Sequence, residues 1–281
     1  MKKIALVTDS TCDLPGKIIN KYDIKIMPLK VIYSDGEYKD KIDIEPEDIY
    51  QRFSEEIPKT SLPLLGDCIA LFESLKSEGY THLIVTTISS GLSGTINMMK
   101  NAKNTVEGLE IEIIDSKSLS MGLGYPVLEG AKELEKTNDY TKTIQKIKDV
   151  ISKTDTFYVV ETLEYLKKGG RIGRVEGTIG ELLKIKPIIS INEDGVYYTY
   201  KKVRGRNRSI KVIYDIVKER ASKSKINVAV AHGNAYDEAM GLLDNIKKIK
   251  NVVETTFTQI SPVLVVHTGP GLIGVIISER I

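Results

Sequence analysis

Three short apolar runs, "KIALVT", "HLIVTT" and "IEIIDS", recur through the first half of this chain with helix-like segments between them. The segment "LPGKIINKY" reads as a short helix, and "PEDIYQRFSEE" carries Pro at a helix start with acids in its first turn, as a helix N-terminus favours. A further helix is expected near Cys68–Ser77 and another from about Thr95. Short apolar runs alternating with amphipathic helices predict a mostly parallel sheet covered on both faces. "IKIMPLKVIY" reads as one extended segment closed by the Asp35-Gly36 turn signal. "SLSMGLGYPVLEGAKELEK" begins another loop and helix, and "TKTIQKIKDVISK" places Ile144, Ile147 and Ile151 at helical spacing.

The texture changes near Thr156. "TFYVVE" reads as a strand, "TLEYLKKGG" as a short helix stopped by glycine, and "PIISI-NEDG-VYYTYKKV" as a hairpin turning on Asp194-Gly195. An amphipathic helix "SIKVIYDIVKERA", a strand "INVAVAH" and a helix near Tyr236–Ile249 follow. Three strand-like runs, "VVETTFTQI", "PVLVVH" and "LIGVIIS", close the chain. The expected architecture is α/β with two domains: residues 1–155 around the mostly parallel sheet, and residues 156–281 around a mixed sheet. A chain of 281 residues has the length for this and for a core large enough to enclose a pocket.

Composition removes several classes of function. With 40 basic and 38 acidic residues the net charge is +2, which gives no support to a chain that lives on nucleic acid. Cys12 and Cys68 are the only cysteines and sit in no metal-ligand or redox spacing. No metal site or disulfide is expected, and a reducing cytoplasm is the simpler location. The apolar stretch Ile4–Val7 is too short for a signal peptide, and no run approaches a membrane span.

The stretch "ISSGLSGT", Ile88 to Thr95, is the first candidate site. A strand that ends in a glycine-rich loop and feeds a helix aims backbone N–H groups at one point, and the helix dipole favours an anion there. Ser89, Ser90, Ser93 and Thr95 add hydroxyls, although a simple helix cap explains the same residues. "HTGPG", His267 to Gly271, places a histidine at a strand end before a fixed turn; "TSLP", Thr60 to Pro63, lies in a loop before a helix. Ser93 with His267 as its base makes a serine-dependent esterase an alternative, but the local G-L-S-G-T is not the G-x-S-x-G elbow, and no acid stands out to orient the histidine. "LKKGGRIGR" matches neither phosphate-loop pattern, though Arg171 and Arg174 can meet an anion or a partner. "KKVRGRNR", Lys201 to Arg208, is the most basic stretch and reads as a solvated face, with an acidic protein or DNA as the other partners to weigh.

Taken in order, "TDSTCDLP", "SSGLSGT", "DSKSLSMGLG", "LEYLKKGGRIG", "LKIKPII" and "HTGPG" resemble the motifs of the DegV family, lipid-binding subunits of bacterial fatty-acid kinases, over essentially the whole chain. The resemblance implies a two-domain α/β protein that holds a long-chain fatty acid between its domains. It implies carboxylate binding by Ser61 and Ser93 with His267 beside them, Thr60, Gly94 and Thr95 in support, and Arg171 at the pocket mouth or in docking the kinase. It implies no cofactor and no catalysis by this chain alone, the acyl phosphate being made by a separate ATP-dependent kinase subunit. The family usually has Gln after the Thr-Ser pair and Ser after the proline; Leu62 and Leu64 stand there in this chain, which implies one polar contact fewer near the head group.

Overall fold

Strand β1 (Ile4–Asp9) is buried at every position, as a strand covered on both faces must be. The computed structural model, which describes residues 2–178 and 185–280, sets it inside a parallel sheet. After β1 come α1 (Gly16–Lys21), β2 (Lys25–Met27), β3 (Lys30–Tyr33), β4 (Gly36–Lys39), α2 (Pro46–Arg52), β5 (Lys59–Ser61), α3 (Leu65–Ser77), β6 (His82–Thr87), α4 (Thr95–Thr105), β7 (Glu110–Asp115), α5 (Met121–Thr137) and α6 (Tyr140–Ile151). The sheet runs in the order β2-β1-β6-β7, all parallel. β1 and β6 are its inner strands, and both lack an exposed face.

The second half supplies β8 (Thr154–Val159), α7 (Glu164–Lys168), β9 (Ile188–Ile191), β10 (Tyr197–Lys201), α8 (Arg206–Lys223), β11 (Ile226–Gly233), α9 (Tyr236–Ile246), β12 (Val252–Gln259), α10 (Pro262–Thr268) and β13 (Leu272–Glu279). Its six-stranded sheet, β10-β9-β8-β13-β11-β12, is mixed: only β11 and β12 pair in parallel. The expected hairpin is β9–β10. The two sheets share apolar core: Ile84, Leu123, Tyr158, Ala231, Leu264 and Ile276 belong to one buried cluster.

Three sequence expectations change. "IKIMPLKVIY" is two strands, not one: β2 joins the parallel sheet, and β3 turns into a separate antiparallel sheet, β4-β3-β5. Thr60 and Ser61 sit in β5 rather than in a loop, paired to Val31 and Lys30. "PVLVVH" is helix α10, not a strand. Pro262 occupies the first turn, where its missing N–H costs nothing, and five of the six residues from Pro262 to His267 are buried. An apolar run covered on all sides has no polar face to show its period. Of the motif "LKIKPII", Leu183 and Lys184 lie outside the described residues.

Candidate head-group site and apolar annex

The serine–glycine loop divides its hydroxyls among different tasks. Ser89 is fully buried and donates to the Gly195 carbonyl at 2.8 Å, which fastens the loop to the β9–β10 turn. Gly91 lies so near that turn that a Cβ on it would fall 2.6 Å from the Gly195 oxygen. Ser90 is exposed, and its N–H donates to Asp115 Oδ1 at 3.1 Å. Ser93 is the serine of this loop that faces the cavity described below; its Oγ lies 2.9 Å from Thr95 Oγ1. Gly94 caps α4 and Thr95 begins it, fully buried behind Ser93. The loop therefore offers one hydroxyl to a ligand, not the four that its composition suggests.

Helix α10 carries His267 in its last turn and packs against α7, α2, β3 and β5. His267 Nε2 lies 2.8 Å from Thr60 Oγ1, a contact between residues 207 positions apart. Its Nδ1 is buried without a partner among the described residues, and a Cβ on Gly169 would sit 2.2 Å from that atom. Gly169 is thus required by close approach alone. Gly169→Ala is expected to tilt the ring away from Thr60, read as a shift of the His267 ring 15N signals, with little change in far-UV circular dichroism.

Thr60, Ser61, Ser93, Arg171 and His267 all line one cavity of about 210 Å³, together with apolar residues such as Leu29, Ile88 and Val263. Leu62 lines it too and touches Gly94, whereas Leu64 is exposed. Ser61 Oγ donates to its neighbour's carbonyl, Leu62 O, at 3.2 Å. Arg171 is anchored by Nη1–H to the Gly169 carbonyl at 2.7 Å.

Tyr197, Leu264 and Thr268 belong both to this cavity and to a second, almost wholly apolar one between the sheets. Leu119, Tyr158, Ala231, Ile260, Leu272 and Ile276 are among its other walls. It is nearly closed, at about 20 Å³, room for about one water. On the outer side, a cleft of about 400 Å³ shares Thr60, Arg171 and His267 with the first cavity and adds Lys59 and Lys168. A polar chamber therefore has an apolar annex within and a basic approach without.

Burial pushes the His267 imidazole down to about 4, helped by the Arg171 charge. The ring is neutral at physiological pH, so a single proton serves its two nitrogens. A buried N–H without an acceptor costs more than a buried lone pair without a donor. Nε2–H donating to Thr60 is therefore the favoured tautomer, and it frees the Thr60 O–H to donate into the cavity. The esterase alternative finds no support in this arrangement: His267 bonds to Thr60, Ser93 bonds to Thr95, and among the described residues no acid meets Nδ1. Among the described residues no group of three or more His, Cys, Asp or Glu is placed to hold a metal ion, and no helix is long and apolar enough to cross a membrane. In the basic stretch 201–208, Arg206 is spent within the fold on Glu238, Glu161 and the Gly271 carbonyl.

The sequence model of the DegV family, described as an uncharacterised protein family, matches residues 3–280. The chain belongs to the DegV family. A DegV domain-containing protein of Clostridium acetobutylicum is 45% identical over 100% of both chains. The crystal structure of DegV from Bacillus subtilis, a fatty acid binding protein, superposes with a TM-score of 0.92 at 28% identity over 100% of both chains. A stearic-acid-binding protein from Eubacterium ventriosum superposes at 0.90 with 29% identity, covering 99% of this chain and 98% of that one. The mixed α/β architecture expected from the sequence is that of the DegV structures.

Of the DegV-type residues named from sequence, five share the cavity, while Gly94 and Thr95 stand behind Ser93. Sequence reasoning missed Tyr197, Leu264 and Thr268, which join chamber to annex. Thr268 follows His267 and was within reach of the "HTGPG" motif. Tyr197 carries no signal, because a hairpin residue reveals nothing of what lies across from it.

Proposed function

We propose that this chain binds a long-chain fatty acid between two domains, 1–155 and 156–281, and presents its carboxylate to a separate ATP-dependent kinase subunit. The observation that carries the reading is the continuity of the polar chamber with the apolar annex through Tyr197, Leu264 and Thr268. The carboxylate accepts from the Thr60 and Ser93 hydroxyls, with Ser61 and Arg171 at its sides. The tail enters the annex by pushing Leu and Ile side chains apart, since the annex is nearly closed as it stands.

The energetics assign the two regions different tasks. Burying methylenes gains about 0.8 kcal/mol each, so a sixteen-carbon tail gains roughly 12 kcal/mol before association and ordering costs. The tail supplies affinity and the head-group chamber supplies orientation. Neutral donors hold the carboxylate without a bidentate clamp on both oxygens. One oxygen stays free to attack the γ-phosphorus of ATP held by the kinase; the bond to the ADP oxygen breaks, and acyl phosphate and ADP result. The cleft with Lys59 and Lys168 is the approach for that anionic donor. Fatty-acid binding by DegV proteins of other bacteria supports the first half of this reading, and a cytoplasmic location goes with the second.

Ser93→Ala tests the head-group assignment. It is expected to weaken palmitic acid binding about tenfold to 150-fold, the range for losing a hydrogen bond to a charged group. Unchanged affinity by calorimetric titration would remove Ser93 from the site.

A further inference from the structure

Three pieces of backbone that line the head-group chamber are each tied to the same buried acidic cluster. Asp9, at the end of β1, accepts the Ile88 N–H through Oδ2 at 2.7 Å. Ser10, which hydrogen-bonds the Asp40 carboxyl, accepts the Leu29 N–H through Oγ at 3.1 Å. Asp40 Oδ1 accepts the Val263 N–H at 3.1 Å. Leu29, Ile88 and Val263 are all chamber walls. Asp13 adds two further ties to the α10 region: its Oδ1 accepts the Ser261 N–H at 2.9 Å, and its carbonyl accepts from Thr258 Oγ1 at 2.9 Å. Lys41 Nζ lies 3.0 Å from the same Asp13 oxygen. Asp9, Asp13 and Asp40 are at most 1% exposed.

Burying three carboxylates beside one ammonium is costly, and a packed apolar cluster would be cheaper. The backbone is strained here as well. Lys41 has φ 59°, and Ser120, a wall of the annex, has φ 51° with ψ −141°. Such strain persists where the surroundings over-determine a geometry, as they do at functional sites.

We infer that Asp9, Asp13 and Asp40 are positioning residues that set the head-group chamber, Asp9 holding the serine–glycine loop and Asp13 with Asp40 holding α10 so that His267 meets Thr60. This rests on the fatty-acid reading for its ligand. The mechanism is local: Val263 stands one helical turn before His267, so the tie at Val263 N–H fixes the azimuth of the ring. Neither Asp40 nor His267 touches the other; Asp40 acts through the helix.

The test is a double-mutant cycle read with [1-13C]palmitic acid. Asp40→Ala is expected to weaken palmitate about tenfold in the wild-type background and to have no further effect in a His267→Ala background. Asp40→Asn keeps an acceptor for Val263 N–H and is expected to stay within about twofold of wild type. The 13C carboxyl signal should move in Asp40→Ala toward its position in His267→Ala. Asp40→Leu fills the volume and replaces the alanine variant if that one does not fold. The inference is overturned if the loss is the same in both backgrounds, or if removing the acceptor leaves affinity and carboxyl signal unchanged. If the wild type takes up no palmitate, the functional reading fails. The positioning claim is then read from the His267 ring 15N signals, which must move in Asp40→Ala and stay in Asp40→Asn; signals that move alike in both, or in neither, sink it.

Discussion

Gly274→Leu is expected to abolish binding of a sixteen-carbon acid, with affinity falling at least a thousandfold, while the chain still folds. Gly274 lies on β13 in the wall of the apolar annex, paired with Tyr158 and Ala231. A Cβ there meets its nearest neighbour at 3.6 Å, an ordinary contact, so the first carbon fits and the rest of the side chain projects into the annex. Overpacking of this kind costs about 1–3 kcal/mol of stability, which a domain of this size tolerates. Excluding eight methylenes costs binding about 6 kcal/mol. A short acid that occupies only the chamber should bind Gly274→Leu and wild type alike, although weakly. Comparing hexanoic and palmitic acids by calorimetric titration separates the two effects. Equal loss for both would place the tail somewhere other than the annex.

Asp40→Asn should raise stability at pH 8 and leave it nearly unchanged at pH 4. Burial pushes the Asp40 carboxyl up to about 7 from an ordinary 3.8, and Asp13 adds to the rise; Ser10, Lys41 and the Val263 N–H oppose it. A raised carboxyl pKa means that the folded state binds more protons than the unfolded one between about 4 and 7. Stability from this group is then fully present below the unfolded pKa and is lost as pH rises through the folded one. At pH 8 the wild type carries an ionised Asp40 in a buried site, at a cost of about 2–4 kcal/mol that asparagine does not incur. Asp9, pushed up to about 6 by burial, slopes the same way. His267 slopes the other way: its depressed pKa removes stability as pH falls from 6.5 toward 4. Urea unfolding of both proteins across pH 4 to 8 should show curves that converge at the acidic end and diverge above pH 7. Parallel curves would mean that Asp40 is not buried as described.

The sequence was most legible where a periodic pattern met a clear stop. β6, the glycine loop and α4 followed from "HLIVTT" and "SSGLSGT", and the β9–β10 hairpin from its Asp-Gly turn. α6 followed from its isoleucine spacing, because one face of that helix is exposed. The same logic failed for α10, which is covered on nearly every side and so displays no period. It failed for β5, whose three residues are too few to alternate. The acids of the cluster were hidden for a different reason. Asp9, Asp13 and Asp40 look in sequence like surface carboxylates, since burial of a charge depends on partners brought from elsewhere in the chain. One signal was available: "TDSTCD" places two acids and three small polar residues at the end of an apolar strand, where α/β sheets gather their ligands. The annex was invisible because its walls come from α10, four strands and two loops distant from one another in the chain.

Native mass spectrometry of the purified chain, followed by organic extraction, addresses the central claim most directly. The account predicts one long-chain fatty acid per chain in wild type, retained in the Ser93→Ala protein at reduced occupancy and lost from Gly274→Leu. A wild-type chain that carries no lipid and takes up none when incubated with palmitic acid would contradict it.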